Sequence, residues 1–355
     1  MLTITTQGSF VSNGSSQLIN IPEGANWMKV VNWSNIVANT AASAFEFEWY
    51  QGMPINDGIA SGFVVGTPAA TYGMLNCRSI DVIGQTVGGF TLFDTTTQTP
   101  SATIAVTDTT AANAPVVTVA STNGIVSNQT IVRLSNISEV PNICGIDFTV
   151  TVDSATTFTL PAFANVTGGG TFPAGLAGYC RIISVVPFPE FYPANRTVIN
   201  ITQAMNPQVT TSVVHGLTVG QNVRMHVPAV CGMIQMDNLE GTVVGVLDAY
   251  NFIIGNAEQD SVDSTGFNPF TWPSVINYPY EIPQVVPVGE VATNIVPVPF
   301  IWPYPTSHSY HDATNNIGFR GMLLASGSNG DADLLSPAGA IGNIMYWQAG
   351  HVENM

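Results

Sequence analysis

The sequence predicts an all-β protein: a β-sandwich or jelly roll together with a small β module present in two copies. Two observations predict the class. Apolar residues do not recur at the 3.6-residue spacing of long amphipathic helices. Instead, short runs of Val, Ile, Thr and Phe are broken about every 8 to 12 residues by Gly, Asn, Pro and Asp clusters. A third observation predicts the modules: a stretch beginning at Pro115 returns at Pro207. At 355 residues the chain is long enough for two or three cores of ordinary size.

The elements follow in order. LTITTQG, QLINIP, WMKVVNW, FEFEWYQG, SGFVVG, IDVIG and FTLFD read as sandwich strands. Residues 94 to 114 contain little that could fill a core, and predict an exposed linker or edge strand. PVVTVASTNGIVSNQTIVRL from Pro115 then aligns with PQVTTSVVHGLTVGQNVRM from Pro207, with Gly124 matching Gly216 and Arg133 matching Arg224. VPNICGI (Val140 to Ile146) matches VPAVCGM (Val227 to Met233), so Cys144 corresponds to Cys231. Each copy closes in a strand pair, GIDFTVTVDSATTFTL and NLEGTVVGVLDAYNFII, as expected of a duplicated module of about 70 to 80 residues. The glycines Gly168 to Gly170 read as a loop, not as a phosphate cradle.

Composition excludes several functions. Charged residues make up 8% of the chain, against roughly 25% in an average soluble domain. Lys29 is the only lysine beside six arginines, and the net charge is −16. Binding nucleic acid requires cations that displace counterions from phosphates, so no nucleic-acid partner is expected. No apolar run approaches the roughly 18 to 20 residues needed to span a bilayer, and MLTITTQGSF lacks the layout of a secretory signal, so no membrane insertion is expected. Cys77, Cys144, Cys180 and Cys231 are scattered without a C-x-x-C pair, the pattern of buried thiols made in a reducing cytoplasm.

Several residues invite a chemical reading. His215 precedes Gly216 in a loop, where a base or ligand could sit; the repeat has Asn123 there, and Asn-Gly is a turn dipeptide, which predicts a turn residue. His308, His311 and Asp312 in SHSYHD offer metal ligands without a third histidine at a fixed spacing. Asn329, Asp331 and Asp333 resemble the start of a calcium loop but lack its glycine and distal glutamate. Glu46 and Glu48 in FEFEWY fall on one face of a strand, opposite Phe45, Phe47 and Trp49, and a carboxylate pair is what glycoside hydrolysis uses. The same alternation is what any half-buried strand shows. No catalytic, cofactor-binding or metal residue is assigned, and the chain is read as a non-enzyme without cofactors.

VVHGLTVGQNVRM followed by GMIQMDNLEGTVVGV and YNFII resembles the first catalytic cysteine half-domain of ubiquitin-activating enzymes, a small β-barrel module. In those enzymes this module holds neither the adenylation site nor the nucleophilic cysteine, so the resemblance implies no chemistry. The first copy departs from the pattern, having lost the His and the Gly-Met. The same pattern recurs, often duplicated, in structural proteins of tailed bacteriophages. The flanks GANWMKVVNW, FEFEWYQGM, PVGE, GFRGMLLASG and MYWQAG are similar to theirs.

That resemblance implies one discontinuous sandwich made of residues 1–95 and 278–355, with modules at 96–186 and 197–275 inserted at a loop. It also implies a virion component, in the tail, neck or capsid accessory layer, made in the host bacterial cytoplasm and acting through contacts with itself and with other virion proteins. The Pro-rich stretch from Val286 to Pro305 suggests an arm reaching a neighbouring subunit. A receptor- or carbohydrate-binding module is the alternative, with a host-surface glycan as partner, and a glycan depolymerase ranks below it. Exposure of Trp27, Trp33, Trp49, Trp272, Trp302 and Trp347 would favour the binding module, and a cleft joining Glu46 or Glu48 to another acid would favour the enzyme.

Overall fold

The computed structural model describes residues 2–14, 16–22, 24–38, 44–54, 57–63, 72–76, 89–94, 104–110, 114–135, 146–161, 178–182, 196–256, 261–272, 283–290, 319–325 and 336–352. The fold is all-β, built of antiparallel sheets.

The two ends of the chain build one sandwich. β1 (Leu2–Val11) pairs along its length with β22 (Ile344–Val352), the last strand, which pairs in turn with β3 (Trp27–Asn32). The sheet continues through β4 (Ala44–Tyr50), β5 (Ile59–Phe63) and β6 (Tyr72–Asn76). Against it packs a three-stranded sheet in the order β2 (Gln17–Pro22), β21 (Phe319–Leu324), β7 (Phe90–Asp94). Alternation fixes which side chains meet. Met28, Val30, Phe47, Trp49, Met345 and Trp347 point inward onto Ile19, Ile21, Phe90 and Met322, and all are buried. Burying such side chains contributes roughly 1.5 to 3 kcal/mol each before chain entropy is counted.

Two expectations change here. Trp33 does not extend a strand: Asn32 Oδ1 accepts the Asn35 N–H at 3.0 Å and caps a short helix, α1 (Trp33–Ala38). Residues 104–109 are not an exposed linker or an edge but β8 (Ile104–Thr109), held between two neighbours, with Val106 fully buried. IDVIG lies outside the described residues.

β8 belongs to a ring. It pairs with β9 (Val116–Val119), which pairs with β13 (Thr157–Thr159), then β12 (Thr151–Val152). Only Val150 separates β12 from β11 (Asp147–Thr149), which pairs with β10 (Ile131–Ser135); β10 pairs with β14 (Gly178–Ile182), and β14 returns to β8. Phe148, Phe158, Leu134 and Ile146 fill the interior.

A second ring has the same strand order. β15 (Val198–Ile201) pairs with β16 (Gln208–Thr211), β16 with β19 (Asn251–Gly255), β19 with β18 (Glu240–Val246), β18 with β17 (Asn222–His226), and β17 with β20 (Gln284–Pro287). A bridge between Thr197 and Gln284 closes it. Residues 284–287, which the sequence assigns to the second part of the sandwich, are therefore a strand of this barrel. Their backbone groups pair with β17, and Val285 packs in the barrel core.

The Val-Pro-x-x-Cys-Gly string has a physical basis in the second barrel. Pro228 leads into a 3₁₀ turn, Ala229–Cys231, which buries Cys231 completely. Gly232 follows at φ +84°, where a Cβ would strike the Pro269 carbonyl oxygen, so a side chain is excluded on both counts. Cys144 lies outside the described residues.

Candidate functional site

Glu46 and Glu48 do share one face of β4, and the structure decides what they do there. Lys29 on β3 stands directly opposite Glu48 and two positions along from Val31, the partner of Glu46, so it shares their face of the sheet. Its ammonium contacts Glu46 Oε1 closely and lies 3.8 Å from Glu48 Oε1. Tyr50 donates a hydrogen bond to Glu48 Oε2 at 3.1 Å. The only lysine of the chain thus engages both carboxylates, forming a cross-strand ion cluster.

His215 lies in a loop, but unlike the exposed Asn123 it is covered. It is 2% exposed, in the loop between β16 and β17. The Leu217 N–H donates to Nδ1 at 2.9 Å, so the proton is on Nε2, which lies 3.1 Å from the Asp248 carbonyl and donates to it. The ring meets Phe252 edge to face, with centroids 5.3 Å apart. Burial holds its pKa below the ordinary histidine range, against the opposing pull of the Asp248 carbonyl bond. A neutral imidazole with both nitrogens engaged ties the loop to the hairpin at 247–250. The sequence signal for this was weak, because those contacts lie more than thirty residues away.

Beside this loop the three bodies meet. The Ser212 hydroxyl donates to the Asp147 carbonyl at 2.5 Å, the Thr149 N–H to the Ser212 carbonyl at 3.1 Å, and the Val214 N–H to Thr149 Oγ1 at 3.0 Å, joining barrel to barrel. Thr218 Oγ1 donates to the Val11 carbonyl in the sandwich at 3.1 Å. A cleft of about 190 Å³ at this junction is lined by Asn20, Ile131, Arg196, His215 and Glu290, among others. Arg196 donates to the His215 carbonyl at 2.8 Å and stands 3.6 Å from Glu290, whose carboxylate accepts the Asn20 N–H at 3.4 Å. Burial pushes the Glu290 carboxyl pKa up, and Arg196 only partly opposes the shift. No chemical pattern in the sequence singled out either residue, and Glu290 enters only as the end of PVGE.

Trp27, Trp49, Trp272 and Trp347 are buried in cores, and Trp33 is exposed beside Tyr346 with ring centroids 6.3 Å apart. Trp302, His308, His311, Asp312, Asn329, Asp331 and Asp333 lie outside the described residues, as do Cys77, Gly168 to Gly170 and most of the Pro-rich stretch. Among the described residues no group of three or more His, Cys, Asp or Glu side chains could hold a metal ion. Among them, too, no helix is long and apolar enough to cross a membrane. Cys180 and Cys231 are buried, and neither is in a disulfide.

Comparison of the chain with protein-family models, with curated proteins and with solved structures finds no match in any of the three.

Proposed function

We propose that the chain is a non-catalytic structural component of a tailed-phage virion, acting by self-assembly and by contacts with other virion proteins. The observation that carries this reading is how the described chemistry-bearing side chains are used. Glu46 and Glu48 close on Lys29, His215 clamps two loops, and four tryptophans fill cores. Each builds a scaffold. The architecture suits this: a sandwich made from both chain ends can anchor, and two barrels inserted in it can offer surfaces for contacts. Exposed Val37 and Ile341 on the sandwich and Met205, Val219 and Leu247 on the second barrel are apolar side chains suited to contacts between subunits.

The experiment is to measure the mass of the purified chain by light scattering at several salt concentrations and to localise it in intact particles with gold-labelled antibody. A defined oligomer and labelling at one virion position are expected. A monomer in every condition, with unlabelled particles, would overturn the proposal.

A further inference from the structure

A second cleft lies where the β1–β22 edge of the sandwich meets the second barrel, with a volume of about 300 Å³, at the lower end of the roughly 300 to 1,000 Å³ of small-molecule sites. Its lining is Gln7, Gly8 and Ser9 of β1, Tyr346, Trp347 and Gln348 of β22, Asn222 of β17, and Val288. None of these side chains is charged. Lys29, opposite Gln348 in β3, is engaged by Glu46 and Glu48, and Arg224, two residues along from Asn222, by Glu240.

From these observations we infer that the cleft binds a neutral, hydroxyl-rich ring of the monosaccharide class. The polar groups match such a ligand. Gln348 donates to Gln7 Oε1 at 3.4 Å and Asn222 Oδ1 accepts from Thr242 at 2.9 Å, which leaves amide donors on Gln7 and Asn222 and the carbonyl acceptor of Gln348 unspent. A sugar hydroxyl donates and accepts at once, so it can satisfy both kinds of group. Tyr346 is 48% exposed and adds an aromatic ring on which the C–H face of a pyranose can pack, together with a phenol hydroxyl. Trp33 abuts that ring at an interplanar angle of 86° and fixes its orientation.

The walls are preformed. Gly289, at φ +97°, lies so close to Gln7 that a Cβ would strike the Gln7 carbonyl oxygen, and a Cβ on Gly8 would strike that of Val288. The Val288 N–H also donates to the Asn222 carbonyl at 3.0 Å. Rigid walls lower the ordering cost of binding. This inference does not rest on the virion reading.

The test is a titration of the full chain with glucose, galactose and N-acetylglucosamine, following the side-chain amide NMR signals of Gln7, Asn222 and Gln348. At least one sugar is expected to shift all three, with a dissociation constant of about 1 mM for a ligand this small. Tyr346→Ala should weaken binding by about tenfold and Tyr346→Phe by much less, because the ring is retained. Glucuronate, matched for size but charged, should bind more weakly than the neutral sugars. Failure of all three sugars to move the signals, or equal binding by Tyr346→Ala, would overturn the inference. So would Tyr346→Ala changing the mass of the assembly without affecting sugar binding, which would make the cleft a protein contact.

Discussion

Arg133 and Asp147 face each other across neighbouring strands of the first barrel, joined by two hydrogen bonds of 2.5 and 2.7 Å with side chains 6% and 0% exposed. Arg224 and Glu240 occupy the same relation in the second barrel, but at the surface, about half exposed. One repeated arginine therefore serves in two dielectric environments.

Arg133→Ala is expected to cost about 3 to 5 kcal/mol, because it leaves the Asp147 carboxylate buried without its guanidinium. Arg224→Ala should cost about 1 kcal/mol or less, since water solvates both partners. Denaturant unfolding of both variants checks the contrast, and similar losses would refute it.

Replacing His215 by Asn, the residue of the repeat, is expected to destabilise by about 1 to 2 kcal/mol: Asn can still accept the Leu217 N–H, but it is too short to reach the Asp248 carbonyl. Because burial lowers the pKa of this histidine, its contribution is present above about pH 6.5 and is lost as pH falls through the native value. His215→Asn should flatten the stability profile below neutral pH, and an unchanged slope would show that the ring does not act in this way.

Glu290 has the opposite sign. Its raised carboxyl pKa means that the protonated form favours the folded state, fully so below about pH 4.5, with the contribution lost as pH rises through the native value. Glu290→Gln should remove that slope from thermal unfolding curves. A variant that keeps the wild-type pH dependence would place its origin elsewhere.

Lys29→Met should destabilise by about 1 kcal/mol or less, because the cluster is partly exposed, and added salt should shrink the loss by screening the wild-type pair. A loss that salt leaves untouched would indicate packing of the lysine stem instead.

Burial pushes the Cys180 thiol pKa up to about 12, so almost no thiolate exists at neutral pH. Native protein incubated with iodoacetamide should retain unmodified Cys180 and Cys231 by peptide mass mapping, with both labelled after denaturation. Rapid native labelling of Cys180 would contradict its burial.

The all-β class, the faces of individual strands and the repeat were legible in the sequence because each is local. Alternation in WMKVVN and AFEFEWY states which side chains share a face, and the recurrence of Pro115 to Arg133 at Pro207 to Arg224 needs only the chain order. That both chain ends share a sandwich was an expectation carried by resemblance, not by any residue pattern. The tertiary structure alone decided pairing and burial. FEFEWY presents a carboxylate pair on one face, yet nothing within it states that Lys29 stands opposite. The repeat suggests a turn residue at His215 and says nothing of its burial, and a hairpin thirty residues later covers it. Gln284–Pro287 follows the second module in sequence and reads as sandwich, while its hydrogen bonds close the barrel. The physical reason is common to all three. A strand specifies its own two faces through backbone geometry, but its partners are set by which other strands lie free to satisfy its N–H and C=O groups and to cover its apolar face, and those lie far away along the chain.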